Sequence, residues 1–301
     1  MKRIVVVGSI NVDFIIDVAA LPRPNETIMG QGFATAIGGK GLNQAVACAR
    51  LGAETHMVGA VGEDSFAEEA RVFLHSNGVH ITHVSSLRGT ATGVANILVA
   101  ANGENMIVVS PGANARLSIA AVEAAADLIA SADAVIVQHE VPRDTIRRAL
   151  EIGRVHGVLT VLNPAPVDME AVDLFPLADV ITPNETELAK LTGIAGQDEA
   201  SLTKALGQLK AKQALVTLGA QGCAALIDGQ LHRIPAFQVD AVDATGAGDV
   251  FNGALTVRLV NGDRLLDAMR YASAASGLSV TKLSANAAPS DAEVRALMTR
   301  Q

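Results

Sequence analysis

The sequence predicts an α/β protein with a mainly parallel central sheet, helices on both faces and a small β-lid. Three observations carry this. From about residue 118, apolar runs of strand length alternate with segments of helical spacing, the pattern of repeated βαβ units. Two glycine-rich stretches, Gly38–Gly41 and Gly246–Gly248, each run into an Ala-rich helical segment. Two strand-rich stretches, Thr27–Ile37 and Thr92–Val109, stand off this alternation in the first third of the chain.

The chain has 301 residues, 50% hydrophobic and 18% charged, enough for a sizeable core and too apolar for disorder. No linker rich in Pro, Gly or Ser divides it and no internal repeat is found, so residues 1–301 are expected to form one domain. The net charge is -8 without a basic run, which argues against nucleic acid or an anionic membrane as partner. Anionic ligands remain open, since a nucleotide can arrive as its magnesium complex. With no Trp and one Tyr, base-stacking platforms are not expected. Cys48 and Cys223 are far apart and form no Cys-x-x-Cys pair, so zinc and redox motifs are absent. The N-terminus reads as a strand rather than a signal peptide, and no apolar run is long enough to span a membrane. A cytoplasmic protein is expected.

Taken in order, Ile4–Val7 is a buried strand, and Gly8-Ser-Ile-Asn11-Val-Asp13 leaves its C-terminal end, where open α/β sheets bind ligands. Asn11 and Asp13, two apart, point the same way in extended chain. They can bind vicinal hydroxyls or form an Asx turn. The lid is expected over about 11–37 and 92–110, with a hairpin signal at Asn102-Gly103. Between its parts, Gly38-Gly39-Lys40-Gly41-Leu42-Asn43-Gln44 opens a helix ended by Gly52. Lys40 and Asn43 can reach one ligand from there, unless Lys40 is only a solvated charge beside a turn. The spacing is not that of a Walker A loop.

The alternation then runs helix Ile119–Ala130, strand Ala134–Gln138, helix Arg143–His156, strand Leu159–Leu162, a short helix near Val172–Leu177, strand Val180–Thr182, helix Ser201–Lys210 and strand Ala214–Thr217. Glu140, Asn163, Asn184, Glu187 and Thr217 recur where strands end. Such a series argues for one cleft along the sheet edge. Asp228-Gly229 marks a two-residue hairpin, and helices at Leu265–Leu278 and Asp291–Met298 close the chain.

Asp243-Ala-Thr-Gly-Ala-Gly-Asp249 precedes the apolar helix Val250–Leu259. The free N–H groups and partial positive charge of a helix start suit a phosphate. A carboxylate at that place repels phosphate unless it has work to do, such as taking a proton from an attacking hydroxyl. Donors for developing charge beside a base are what phosphoryl transfer needs. The alternative is a capped helix with Asp249 supporting the dipole.

Gly38-Gly39-Lys40-Gly41-Leu42-Asn43-Gln44-Ala45 resembles the first signature of the ribokinase-like carbohydrate kinases, and Asp243–Asp249 with Val-Phe-Asn-Gly253 resembles the second. The likeness extends to the Asn11/Asp13 segment, Asn163-Pro-Ala-Pro166 and Thr182-Pro-Asn184-Glu-Thr-Glu187-Leu188, so it covers essentially the whole chain. The resemblance implies an ATP-dependent sugar kinase acting on the 5-hydroxyl of a pentose, ribose foremost. It implies Asp249 as base, with the backbone of Gly246, Ala247 and Gly248 as anion hole. Asn11, Asp13, Gly39, Lys40, Asn43 and Glu140 would line the sugar pocket. Asn184 would hold phosphates, Glu187 magnesium with its water, and Thr217, Gly219, Gly222 and Gly248 the nucleotide. Asp243, Thr245 and carbonyls near Ser279, Lys282 and Ser284 would hold a monovalent cation, potassium. A homodimer through the lid is also implied. Ser284 and Ala288 depart from the family pattern in the cation loop, and Ser273 near the adenine.

Within that class the acceptor could also be deoxyribose, fructose or a nucleoside such as pseudouridine. A non-catalytic sugar-binding regulator is disfavoured because a binder needs no base. A Rossmann dehydrogenase fails because no Gly-x-Gly-x-x-Gly follows the first strand.

Overall fold

The computed structural model describes residues 1–282 and 287–301. Strand β1 (Arg3–Val7) lies inside the main sheet. Ile4 and Val6 enter one core and Val5 and Val7 the other, all four fully buried. That is the two-residue period of a strand covered on both faces, which is why it reads as an unbroken apolar run.

The further strands are β2 (Asn11–Val18), β3 (Gly32–Gly38), β4 (Glu54–Val61), β5 (Val79–Ser86), β6 (Gly93–Ala100), β7 (Asn105–Ser110), β8 (Ala134–Gln138) and β9 (Leu159–Asn163). Then come β10 (Val180–Ile181), β11 (Gln213–Thr217), β12 (Cys223–Ile227) and β13 (Gln230–Ile234). Among the described residues nine strands form the main sheet, in the order β13-β12-β11-β10-β9-β8-β1-β4-β5. Neighbours are parallel except β11–β12 and β12–β13. The β12–β13 turn has Asp228 at φ 50° and Gly229 at φ 79°, the two left-handed residues that match the twist of a two-residue hairpin.

The helices are α1 (Lys40–Arg50), α2 (Ser65–Ser76), α3 (Ile119–Glu123), α4 (Ala126–Ala130), α5 (Arg143–Val155), α6 (Glu185–Thr192), α7 (Glu199–Gln208), α8 (Ala247–Val260), α9 (Leu265–Ser279) and α10 (Asp291–Arg300). Helices α1, α2 and α8–α10 pack into the core that holds Ile4 and Val6. Helices α3–α7 cover the opposite face. Among the described residues no helix is long and apolar enough to cross a membrane.

Several segments differ from expectation. The helix expected over 119–130 is two short ones, because Ala125 N–H bonds back three residues to the Val122 carbonyl and tightens the turn. The short helix near 172–177 is a 3-10 turn, Met169–Leu177, that contains Pro176; proline removes the N–H a longer α-helix needs. The unit β4–α2–β5 and helix α6 received no assignment from the sequence pattern.

The two strand-rich stretches, joined by β2 from the chain just before them, form a separate four-stranded sheet, β3-β2-β6-β7. Strand β2 pairs antiparallel with β3 and parallel with β6, and β6 pairs antiparallel with β7. Phe14 packs edge-on against Phe66 of α2, ring centroids 5.6 Å apart, and so ties this sheet to the body.

Helices α1 and α8 cross closely at Gly253. A Cβ there would lie 2.7 Å from Ala47 Cβ and 3.1 Å from the Gln44 carbonyl oxygen. We expect Gly253→Val to push the helices apart and cost about 1–3 kcal/mol, the usual scale of overpacking. Urea unfolding is the measurement, and an unchanged midpoint would show that the crossing is not tight.

Candidate active site

Helix α8 begins at Gly246, whose φ of 75° is left-handed and favours glycine. No side chain caps this end, so the first N–H groups have no partner within the helix. One turn in stands Asp249, 6% exposed. Its Oδ2 accepts from Asn43 Nδ2 at 3.1 Å and its Oδ1 from Gln44 Nε2 at 2.9 Å. Both donors come from the start of α1, which opens at Gly39 with φ 98°. A Cβ on Gly39 would also lie 2.9 Å from the Asn11 amide nitrogen. Two glycine-dependent helix starts thus meet over one carboxylate.

A cavity of about 150 Å³ lies beside it. Of the residues expected there, Lys40, Asn184, Glu187, Thr217, Gly246, Gly248 and Asp249 line it. Burial raises the Asp249 pKa; Lys40 and the amides of Gln44 and Asn43 offset part of this, and Glu140 adds to it. Burial works against the Lys40 charge, yet Asp249, Glu140 and Glu187 together outweigh it and hold the ammonium above its ordinary range. Burial also raises Glu187, against the Asn184 N–H and Lys40.

Asn184 and Glu187 have a second occupation. They form a capping box for α6: Asn184 Oδ1 accepts from Glu187 N–H and Glu187 Oε2 from Asn184 N–H, each at 2.8 Å. The helix therefore fixes both side chains at the cavity wall.

Glu140 Oε2 accepts from Ser9 Oγ at 2.5 Å and from Lys40 N–H at 3.0 Å. Asp13, 8% exposed, has its pKa raised to about 6 by burial, Glu140 and Asp249. Asp13, Glu140, Glu187 and Asp249 therefore share one electrostatic environment with Lys40. Asn11 is also buried, but its Oδ1 accepts from Asn114 Nδ2 at 2.7 Å, and Asn114 in turn holds both backbone groups of Ile10.

Gly219 and Gly222 do not line the cavity. Gly219 opens a 3-10 turn after β11, and a Cβ on Gly222 would lie 2.0 Å from the Ile234 carbonyl. Asp243 Oδ1 accepts from Thr245 N–H at 2.9 Å, and the N–H groups of Val242 and Asp243 both donate to the Val280 carbonyl. This joins the loop before α8 to the end of α9. Ser279 Oγ donates to the Ser276 carbonyl, and the Ser279 carbonyl accepts from Lys282 N–H. Ser284 lies outside the described residues. Ala288 is buried, and its carbonyl accepts from Arg50 Nη1.

The structure adds residues that spacing did not single out. Ser9 holds Glu140, Thr182 and Asn252 line the cavity beside the strand-end residue Asn163, and Gln44 touches Asp249. Gln44 follows Asn43 directly, so the signal was present in the first glycine stretch. Asn252 Nδ2 bonds the Gly248 carbonyl at 2.8 Å and its Oδ1 accepts from Thr182 Oγ1 at 2.5 Å.

The model of the pfkB family carbohydrate kinases matches residues 1–292. The chain belongs to that family. The kinase family's curated members include the ribokinase of Haemophilus influenzae, 40% identical over 284 residues and 93% of each chain. The deoxyribokinase of Salmonella typhi is 36% identical over 282 residues, 92% of each. Among solved structures, Arabidopsis thaliana ribokinase complexed with ribose and ATP superimposes with a TM-score of 0.87 at 31% identity, covering 99% of this chain and 98% of that one.

Asp13 yields a stability test. Its folded pKa, about 6, lies above the ordinary 3.8, so the unfolded chain ionises first and folding stability falls as pH rises through that window. We expect Asp13→Asn to be more stable than the parent at pH 8, by roughly 1–3 kcal/mol, with the gain vanishing near pH 3. Melting temperature against pH measures it. A variant less stable at pH 8 would show that the Asp13 charge is a structural partner.

Proposed function

We propose that this protein transfers the γ-phosphoryl group of ATP to the 5-hydroxyl of D-ribose, giving ribose 5-phosphate and ADP. One observation carries the proposal: the buried Asp249 carboxylate stands in the first turn of a helix whose start, at Gly246 and Gly248, lines the same cavity, with Ala247 N–H turned back to the Ala244 carbonyl at 3.2 Å. The ribokinase relative and the ribose- and ATP-bound structure of similar fold support it.

In this mechanism the sugar's 5-oxygen attacks the γ-phosphorus, the bond to the β-bridging oxygen breaks, and ADP leaves. Asp249 takes the hydroxyl proton. The N–H groups of Gly246, Ala247 and Gly248 receive the charge that builds on the transferring group. Asn11, Asp13, Gly39, Lys40, Asn43 and Glu140 position the sugar. The buried Oδ1 of Asn43 has no partner of its own, and a buried acceptor in that state suits an incoming hydroxyl. Asn184, Thr217, Gly219, Gly222 and Gly248 serve the nucleotide.

Magnesium would neutralise phosphate charge. Among the described residues no three His, Cys, Asp or Glu side chains converge on a metal position, so a protein cage is not its mode of binding. Glu187, a half-buried carboxylate at the cavity wall, fits an ion held through one carboxylate, water and phosphate. Asp243, Thr245 and carbonyls near Ser279, Lys282 and Ser284 would hold a potassium ion that stiffens the loop before α8.

The small sheet acts as the lid that excludes water. Its edge strand β7 exposes Met106, Ile107, Val108 and Val109, 44–61% each, an apolar edge suited to a second copy of the chain. Dependence on ATP supports a cytoplasmic enzyme. Deoxyribose is the second reading for the acceptor, supported by the deoxyribokinase relative.

We expect Asp249→Asn to bind sugar nearly as the parent does and to lose about 10²–10⁴-fold in kcat, the usual loss of a general base. Retention of half the parent kcat sinks the assigned role. ADP release with pentoses, hexoses and nucleosides ranks the acceptors. Potassium at constant ionic strength is expected to raise activity. A flat response, with full activity of Asp243→Ala, removes the cation from the mechanism.

A further inference from the structure

Behind Asp249 lies a chain of buried amides. Gln44 and Gln138 are fully buried, and Asn163 is 6% exposed. Gln44 Nε2 donates both its hydrogens, to Asp249 Oδ1 at 2.9 Å and to Asn163 Oδ1 at 3.1 Å. Its Oε1 accepts from Gln138 Nε2 at 2.7 Å. Asn163 Nδ2 in turn donates to the Thr182 carbonyl at 3.1 Å.

This chain has only one workable polarity. An amide can be flipped without changing its shape, so its direction must come from its neighbours. The Thr182 carbonyl can only accept, which turns the Asn163 oxygen towards Gln44. Gln138 presents a nitrogen to Gln44, which turns the Gln44 nitrogen towards Asp249. A flipped Gln44 would set its oxygen against two acceptors and its nitrogen against another nitrogen. Gln138 keeps its place because residue 8 is glycine: a Cβ there would lie 2.0 Å from Gln138 Oε1. That oxygen has no partner, so its placement is set by the fit of the chain rather than by a bond of its own.

We propose that Gln44, held in polarity by Gln138 and Asn163, is the positioning residue that aims the Asp249 carboxylate and keeps it ionised for proton transfer. The proposal rests on Asp249 being the base. The carboxylate's two oxygens are divided between α1 donors, Oδ2 to Asn43 and Oδ1 to Gln44. Asn43 keeps a buried acceptor without a partner, whereas every polar side-chain atom of Gln44 is consumed inside the protein. Gln44 therefore has nothing left for substrate, and its work is on Asp249. The other charged groups around Asp249 are Lys40 on α1, Glu140 after β8, Glu187 on α6 and Asp13 on β2. None of these occupies the Oδ1 side through a hydrogen bond.

The test is Gln44→Met, similar in shape without the donor, with Gln138→Met as a second variant that never touches Asp249. Losing a donor to a carboxylate raises its pKa, so the acid limb of the kcat–pH profile should move up by about one unit. The deficit in kcat should be about tenfold below the limb and shrink as pH rises, with KM for ribose little changed. Gln138→Met should move the limb the same way by less. If Gln44→Met does not fold, the Gln138→Met limb alone decides. A kcat loss of equal size at every pH, with the limb of both variants unmoved, overturns the proposal. An active Asp249→Asn overturns instead the assignment of the base, so the two failures are separable.

Discussion

The structure depends on burying one carboxylate where two helices begin. Asp249 has almost no contact with water, and it is held by two amides and one ammonium, all three from α1. Burying an isolated charge is very costly unless it is paired and hydrogen-bonded. That requirement explains features far from the carboxylate itself. Glycines at 39 and 246 let both helices start in left-handed backbone, Gly253 lets α1 and α8 touch, and Gly8 leaves room for Gln138. Each is a local surrender of side chain that brings donors within reach of Asp249.

The same requirement gives the site its electrical character. Lys40 lies among more carboxylates than it can neutralise, and burial first, with the neighbouring carboxylates adding to it, raises the pKa values of Asp13, Glu187 and Asp249. A protein selected for stability alone would not assemble such a group. In a kinase the missing positive charge can come with the substrate complex, and hydroxyl groups can use the acceptors.

Much of this was legible in the sequence, and the parts that were not have physical reasons. The apolar run Ile4–Val7, the strand-end polar residues and the Asp228-Gly229 turn were readable because both periods and turn chemistry are local. The glycine stretches marked the helix starts for the same reason. The unit β4–α2–β5 was not read. Its outer strand carries His80, His83, Ser85 and Ser86 among its apolar residues, so it lacks the unbroken apolar run of a central strand. The partnership of Gln44 with Gln138 and Asn163 joins residues 94 and 119 positions apart, and no local pattern announces it. The pairing of Asn184 with Glu187 was visible as spacing, but its capping box was not distinguished from a ligand role.

Strand β2 follows β1 after a connection of only Gly8, Ser9 and Ile10, and Asn11 and Asp13 sit at its first positions. The small sheet therefore has no slack between itself and the body on this side. A rigid-body shift of that sheet would reach Asp13 through this short connection. On the proposed reading, in which Asp13 binds the sugar and the small sheet covers it, sugar occupancy and cover position would be a single mechanical coordinate, with β2 as its lever. A ligand that satisfied the pocket incompletely would then leave the lever unlatched and let water reach a bound nucleotide. Slow nucleotide hydrolysis in the presence of poor acceptors is the signature of such a joint, and its rate measures how firmly each acceptor closes the latch.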